Sequence, residues 1–289
     1  MKTIEISSLR KYFGNTKAID DISLDVDQGQ IFGFLGPNGA GKTTTIRAML
    51  SFIRPTSGMI KIFGKDTRKE SVEIIKKIGY LSGNVRLYEK WDGQTHINFV
   101  KNLNGENDRS SELMNVLDFD ASIKVKQLSS GNKQKLAIIL ALMTRPDLLI
   151  MDEPTNALDP LLQNEVYELL EKEAKNGVTI FMSSHNLSEV DKICDRVAII
   201  KKGKIVATES ILSLKEKKLT HVHIYFSGSF NKDEFIDENN ELVKETSNYI
   251  VINVKGDINP LIKKISKYNI KDLSISQAAL EDIFLEFYE

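Results

Sequence analysis

Gly36-Pro37-Asn38-Gly39-Ala40-Gly41-Lys42-Thr43, continued by Thr44 and Thr45, decides how the rest of the chain is read. It fits the pattern G-x-x-x-x-G-K-[ST] and lies between the apolar run Ile31-Phe32-Gly33-Phe34-Leu35 and a helix-like segment, Thr44 to Phe52. Glycines let a backbone fold tightly around phosphate oxygens, so that successive N–H groups point inward as an anion nest. The start of the next helix adds its positive end at the same place. Gly36, Asn38, Gly39, Ala40, Gly41 and Thr44 are therefore read as the cradle. Lys42 reaches the outer phosphates, and the Thr43 hydroxyl holds Mg²⁺. The stretch predicts a nucleoside triphosphate site rather than a glycine-rich turn that happens to carry a lysine.

The 289 residues suffice for one large domain or two unequal ones. Net charge is −1, from 39 basic and 40 acidic side chains, so no global field draws the chain to nucleic acid or anionic lipid. A single cysteine, Cys194, excludes an internal disulfide framework and fits a reducing cytosol. Met1 to Ile6 lacks the apolar core of a signal peptide, and the longest apolar run, Leu136 to Met143, is too short to span a bilayer. No direct membrane insertion is expected, and any membrane role must come through a partner.

Outward from the loop, Ile4 and Ile6, then Ile22, Leu24 and Val26, alternate as in half-buried strands. Ile60 with Ile62 and Gly79 to Leu81 read as short strands, and Val72 to Ile78 as a helix. From Tyr88 to Thr144 the pattern is mainly helical, which predicts a helical subdomain inserted at about 85–145. Leu148 to Met151 is a continuous apolar run suited to a strand buried on both faces. Pro160 suits the first position of a helix running to Asn176. Thr179–Met182 and Val197–Ile200 are further strands around a helical piece, Leu187 to Cys194. Such alternation predicts an α/β fold with a mostly parallel, covered sheet. The lysine-rich stretch Lys215–Leu219 marks a boundary, giving domains 1–218 and 219–289. The second reads as a small α+β domain, compatible with a ferredoxin-like form, with strands at His221–Phe226, Glu241–Glu245, Tyr249–Val254 and Asp272–Ser276 and helices at Leu261–Tyr268 and Leu280–Tyr288.

Leu148-Leu149-Ile150-Met151-Asp152-Glu153 ends a buried strand in two carboxylates. In open parallel sheets ligands bind beyond the carboxyl ends of the strands, so Asp152 faces the phosphates and helps hold Mg²⁺, directly or through water. Glu153 then stands close to the terminal phosphate, where a carboxylate polarises an attacking water. With its continuation Pro154-Thr155-Asn156-Ala157-Leu158-Asp159, and with Leu128-Ser129-Ser130-Gly131-Asn132-Lys133-Gln134, the chain resembles the ATP-binding cassette (ABC) ATPases over residues 1 to about 215. The five motifs occur in the family's order.

The resemblance implies a P-loop ATPase core with an antiparallel β subdomain and the inserted helical subdomain. It makes Glu153 and His185 catalytic, His185 as the switch histidine of Met182-Ser183-Ser184-His185. Ser129, Ser130 and Gly131 match the signature, usually Leu-Ser-Gly-Gly-Gln, although Ser130 and Asn132 depart from it. A hydroxyl and N–H groups at a helix start form a second anion site, which in the family closes over ATP held by the opposite subunit. Asp159 resembles the aspartate that communicates across the dimer. Phe13, just before Gly14, matches the base-stacking aromatic, with Tyr12 the competing candidate. His96, His221 and His223 match nothing in the family and read as structural or exposed. Gly83 stands where the family carries a glutamine that contacts Mg²⁺ or water; here that contact is lost, supplied by Asn84, or replaced by water.

The resemblance further implies an ATP-hydrolysing subunit that uses ATP and Mg²⁺. Such a subunit pairs with a second one, as a homodimer, and with membrane-spanning permease subunits on a separate chain. That places it in the cytoplasm, peripheral at the inner face of the cell membrane. Ala279 to Phe284 resembles the end of a domain found on export-type ATPases, which favours export over uptake. Two other readings are a non-catalytic ATP-gated clamp on a membrane partner and a soluble ABC ATPase of translation or DNA repair. Glu153 and His185 argue against the first. The absence of a second cassette or long coiled-coil insertion argues against the second.

Overall fold

In the computed structural model, which describes residues 1–104, 108–156, 158–216 and 220–277, the chain opens with two long antiparallel strands, β1 (Lys2–Phe13) and β2 (Thr16–Asp27). Their pairing slips between Ile6 and Leu9, where Ser8 takes a φ of 44°, so the ladder carries a bulge. β3 (Ile31–Leu35) is buried along its whole length and feeds the phosphate loop, from which α1 (Lys42–Met49) starts. β4 (Ser57–Ile62) returns to β1, and β5 (Lys65–Asp66) completes an antiparallel sheet of order β2-β1-β4-β5.

α2 (Ser71–Ile75) leads into β6 (Ile78–Leu81). Ile78 therefore belongs to the strand and not to the preceding helix, because it pairs with Leu148 in the sheet. α3 (Gly93–Asn104), α4 (Ser110–Val116), a 3₁₀ turn at Val125–Gln127 and α5 (Ser130–Leu142) make up the helical segment. Next come β7 (Leu148–Asp152), α6 (Pro160–Lys175), β8 (Thr179–Ser184), α7 (Leu187–Ile193), β9 (Arg196–Lys201), β10 (Lys204–Ser210) and α8 (Ile211–Glu216).

The second sheet has the order β10-β9-β3-β8-β7-β6. Five of its strands run parallel, and β3, β7 and β8 are fully buried, as their unbroken apolar runs require. The rings of Phe32 and Phe34 pack on Phe181 with centroids 5.8 and 5.5 Å apart. β10 is antiparallel to β9 and has no counterpart among the strands expected from the sequence. A two-residue turn, Lys202-Gly203, joins them with φ of 49° and 78°, the twist-matched geometry of tight hairpins. A lysine in that first position is a weak signal, and an edge strand has little apolar patterning to betray it.

The chain divides into two compact units, Met1–Ile211 and Leu212–Glu289, so the division falls after Ile211 and not after residue 218. Ile211 is buried, and its N–H donates to Asp195 O at 2.9 Å, which ties the end of β10 back to the first unit. The second unit contains β11 (Thr220–Phe226), β12 (Asn240–Thr246), β13 (Tyr249–Val254), α9 (Asn259–Ile265) and β14 (Ile270–Gln277). Its antiparallel sheet has the order β12-β13-β11-β14. That is the ferredoxin-like order, with a 3₁₀ turn at Lys232–Glu234 where the first crossover helix would stand. Val222, Ile224, Phe226, Ile250, Ile252 and Val254 form its core with Leu261 and Ile265 of α9. The helix predicted at Leu280–Tyr288 lies outside the described residues, as does Ala157.

Candidate nucleotide-binding site

β3, β8 and β7 lie side by side, with Leu35 opposite Ser184 and Asp152 opposite Ser183. Parallel strands in that register end together, so three loops leave the sheet at one edge. They carry Gly36–Thr43, Asp152-Glu153 and His185. A cavity of about 420 Å³ opens there, within the range of ligand sites. Asn38, Gly39, Gly41, Lys42, Thr43, Thr44, Asp152, Glu153 and His185 line it together with Ala18, Pro37, Arg47, Ser82, Gly83, Asn84 and Asn156.

Space dictates two of the glycines. A Cβ on Gly41, whose φ is 116°, would come 2.6 Å from the Ala18 carbonyl oxygen. One on Gly36 would come 2.4 Å from the Ile200 carbonyl oxygen, and Ala40 is buried beside it. The loop is thus wedged between β2 and β9 and can only follow its observed path.

Lys42 is 6% exposed. Its Nζ donates to Gly36 O at 2.6 Å and Pro37 O at 3.4 Å, and lies 3.2 Å from Glu153 Oε1. Thr43 Oγ1 donates to Asp152 Oδ2 at 2.8 Å, while Ser183 Oγ donates to Asp152 Oδ1. The other Glu153 oxygen contacts His185 Nδ1. Glu153 holds a φ of 54°, left-handed backbone that costs a non-glycine residue about 1–3 kcal/mol. Its N–H is secured by Ser183 O at 3.1 Å. Strain of this kind aims the carboxylate into the cavity.

Thr43 and Asp152 are hard oxygen donors brought together at 2.8 Å, as a Mg²⁺ site needs. Among the described residues no cluster of three or more His, Cys, Asp or Glu side chains could cage a metal alone. Mg²⁺ at this place therefore needs phosphate oxygens and water as its remaining ligands.

Gly83 also lines the cavity, and a Cβ on it would sit 2.9 Å from Asp152 O. The loop rests its backbone against the end of β7, so a glutamine could enter only if one of them moved. Asn84, next to Gly83, shares the cavity with Thr43 and Asp152, as do the carboxamides of Asn38 and Asn156.

The signature residues are elsewhere. Ser129 and Gly131 line a separate cavity of about 230 Å³ with Asn132, Lys135, Asp159, Leu161, Leu162 and Glu165. Ser129 caps α5 by accepting from Asn132 N–H at 3.2 Å; Ser130 is the first residue of that helix and is not in the cavity wall. Asp159 caps α6, accepting from the N–H groups of Leu161 and Leu162 at 3.1 Å each. Phe13 lines neither cavity. It stands half exposed at the end of β1 with Lys11 Nζ 4.7 Å from its ring centroid, and Ala18 of the paired strand takes the place in the wall. The Tyr12 hydroxyl is engaged, donating to Asp20 Oδ1 at 2.6 Å. His96 is buried, its Nε2 accepting from Tyr88 N–H at 3.1 Å, and the His223 ring meets the Tyr249 hydroxyl at 2.7 Å.

Sequence reasoning passes over Ser183, Ser184, Thr155, Gln134 and Glu189, which pack behind the catalytic candidates. Burial raises the Glu189 carboxyl above the ordinary range, opposed by hydrogen bonds from Ser184 and Thr155. Burial also pushes the Tyr167 hydroxyl up to about 12. An acidic residue in the first turn of a short helix ordinarily reads as a partner of the helix dipole, so nothing in the sequence flags Glu189.

The sequence model of the ABC transporter family matches residues 19–156. The chain is 33% identical to the bacitracin transport ATP-binding protein BcrA of Bacillus licheniformis, over 98% of this chain and 96% of that protein. A solved ATP-binding subunit of an ABC transporter superposes with a TM-score of 0.69 at 26% identity, over 74% of this chain and 92% of that one. A dimeric bacterial ABC transporter cassette shares the fold with a TM-score of 0.67 at 24% identity, over 72% and 98%. This chain belongs to the ABC transporter family, as one of its ATP-binding subunits.

Proposed function

We propose that the chain binds Mg²⁺-ATP in the phosphate-loop cavity, hydrolyses it with Glu153 and His185, and thereby powers export through permease subunits on a separate chain. The observation that carries this reading is the placement of Glu153. It sits at the end of β7 in a left-handed conformation, between Lys42 on one oxygen and His185 on the other. As ATP enters, Lys42 exchanges Glu153 for the outer phosphates. The freed carboxylate then faces the terminal phosphate and takes a proton from the attacking water, while His185 orients it. Thr43 and Asp152 would hold Mg²⁺, which would supply positive charge against the negative charge on the phosphoryl oxygens.

In the same reading two copies meet head to tail, and Ser129 to Gly131 of each covers the nucleotide of the other. Phe13 of β1 stacks on the base from outside the cavity wall. Asp159 relays closure between the copies, and reopening after hydrolysis moves the permease. Similarity to a protein named for bacitracin transport runs through the second unit as well, which supports export of a peptide, drug, lipid or polysaccharide. No described helix is long and apolar enough to cross a membrane. Attachment to the inner face of the membrane is, in this reading, through the permease.

Glu153→Gln tests the reading. Phosphate release should fall about 10²–10⁴-fold, the usual contribution of a general base, while ATP still binds and closed dimers accumulate in size-exclusion chromatography. Near-normal phosphate release would remove Glu153 from its role and leave an ATP-gated clamp as the better account.

A further inference from the structure

Behind the Glu153–His185 pair runs a buried polar chain that the proposed cycle does not use. α7 starts two residues after His185, and its Glu189 turns into the protein, 3% exposed. Glu189 Oε1 accepts from Thr155 Oγ1 at 2.8 Å, and Oε2 accepts from Ser184 Oγ. Thr155 lies two residues beyond Glu153, and Ser184 immediately precedes His185. A single carboxylate therefore joins the two loops whose side chains must meet at the terminal phosphate.

The surroundings reinforce that link. The Asn186 N–H donates to Ser184 Oγ at 2.9 Å, and the Tyr167 hydroxyl of α6 hydrogen-bonds to Thr155. On the opposite side, Gln134 of α5 donates to Pro154 O at 2.6 Å, so the residue between Glu153 and Thr155 is also held. The partners of Glu189 are hydroxyl groups rather than a cation. A buried carboxylate satisfied this way is a poor source of stability compared with an apolar side chain of the same volume. Its return must come from geometry.

We propose that Glu189 is a positioning residue for hydrolysis, clamping the His185 loop to the loop that follows Glu153 and so setting the contact between those two side chains. The clamp rests on the reading that Glu153 activates water. The hydrogen bonds of its carboxylate go to Thr155 and Ser184 and not to Thr43 or Asp152. It acts as outer-layer partners act at metal centres, by holding the groups that do the chemistry in one orientation.

The experiment uses hydroxyl-deletion and hydroxyl-retention variants of the full chain. Thr155→Val keeps the shape and loses the donor; Thr155→Ser keeps the donor. Glu189→Gln keeps the shape but offers N–H to a hydroxyl that needs an acceptor. Thr155→Val and Glu189→Gln should each lower kcat for ATP roughly ten-fold, the low end for loss of an orienting partner, with KM within about two-fold of wild type. Thr155→Ser should restore most of the loss. Wild-type kcat in either Thr155→Val or Glu189→Gln overturns the clamp, as does a loss of kcat that Thr155→Ser shares in full. Glu153→Gln run in parallel separates the two ideas. Full turnover there sinks the parent reading, whereas lost turnover there with full turnover in Thr155→Val sinks the clamp alone.

Discussion

The cavity at the phosphate loop and the cavity at Ser129 to Gly131 differ in what the chain itself supplies. The first brings together an ammonium, a hydroxyl, two carboxylates and an imidazole from the ends of three adjacent strands. Its groups are already engaged with one another, Lys42 with Glu153, Thr43 with Asp152 and Glu153 with His185. The second is about half the volume and is built on the starts of two helices, with Ser129 and Asp159 spent as caps. In the proposed reading the first cavity is where ATP reacts, and the second receives an anion delivered from outside. On that reading each copy would hold a phosphate cradle and only the cover for another, which would make the working unit a pair, as in the solved dimeric cassette of similar fold.

The comparison can be broken most decisively at Lys42. Lys42→Ala removes a buried ammonium that in the proposed reading binds the outer phosphates, and ATP affinity should fall roughly 100-fold or more, as expected for losing charge-assisted hydrogen bonds. Titration with a fluorescent ATP analogue measures this, and retained affinity would refute the cradle assignment. Ser129→Glu probes the other cavity by placing a carboxylate where an anion should dock. Turnover at high protein concentration should drop at least about ten-fold through like-charge repulsion, with ATP binding to the single subunit unchanged. If single-subunit binding weakens as much as turnover, the two cavities are not separable.

A smaller effect is expected at Gly83, where the first cavity departs from the family's pattern. Gly83→Ala pushes a methyl group to 2.9 Å from Asp152 O and must displace one of the two loops. Turnover should fall about three- to ten-fold, a cost in keeping with small misplacement of a catalytic group, and the Mg²⁺ concentration for half-maximal rate should rise. An unchanged Mg²⁺ dependence would mean that the approach of Gly83 to β7 has no bearing on the metal site.

The smallest effect concerns stability. Burial raises the Glu189 carboxyl above its ordinary value of 4.5, so its share of stability is fully present below that value and is lost as pH rises through the raised folded value. Glu189→Gln has no such slope. Thermal melts across that window should show wild type losing ground to the variant as pH increases. A variant that is slower yet no less stable at neutral pH would separate positioning from folding; a pH-independent difference would contradict the assigned direction.

Much of the first cavity is legible in the sequence because its parts are local. Gly36 and Gly41 are forced by backbone contacts at 2.4 and 2.6 Å, and such positions leave glycine in the sequence whatever surrounds them. The unbroken apolar runs of β3, β7 and β8 announce strands buried on both faces, and Asp152-Glu153 marks where one of them ends. β10 escapes notice because an edge strand needs no apolar stripe, and its turn, Lys202-Gly203, is an uncommon pair for that geometry. The boundary read from the sequence rests on Lys215–Leu219, which looks like a linker, whereas the compact units divide after Ile211, a buried residue whose N–H is bonded to Asp195 O. Phe13 rests on a motif match, and only its position beyond the end of the cavity wall shows how it stands relative to Ala18.

Residue patterns alone point to the phosphate loop, the buried strands that carry its partners and the family to which the chain belongs. These depend on local backbone demands and on periodic burial, both of which are written residue by residue. Tertiary structure alone decided which oxygen of Glu153 meets Lys42 and which meets His185, that Gly83 abuts β7, and that Glu189 joins Thr155 to Ser184. Those contacts arise from the parallel register of β3, β8 and β7, which brings together loops far apart in the chain, and strands buried on both faces carry no alternation from which that register could be read.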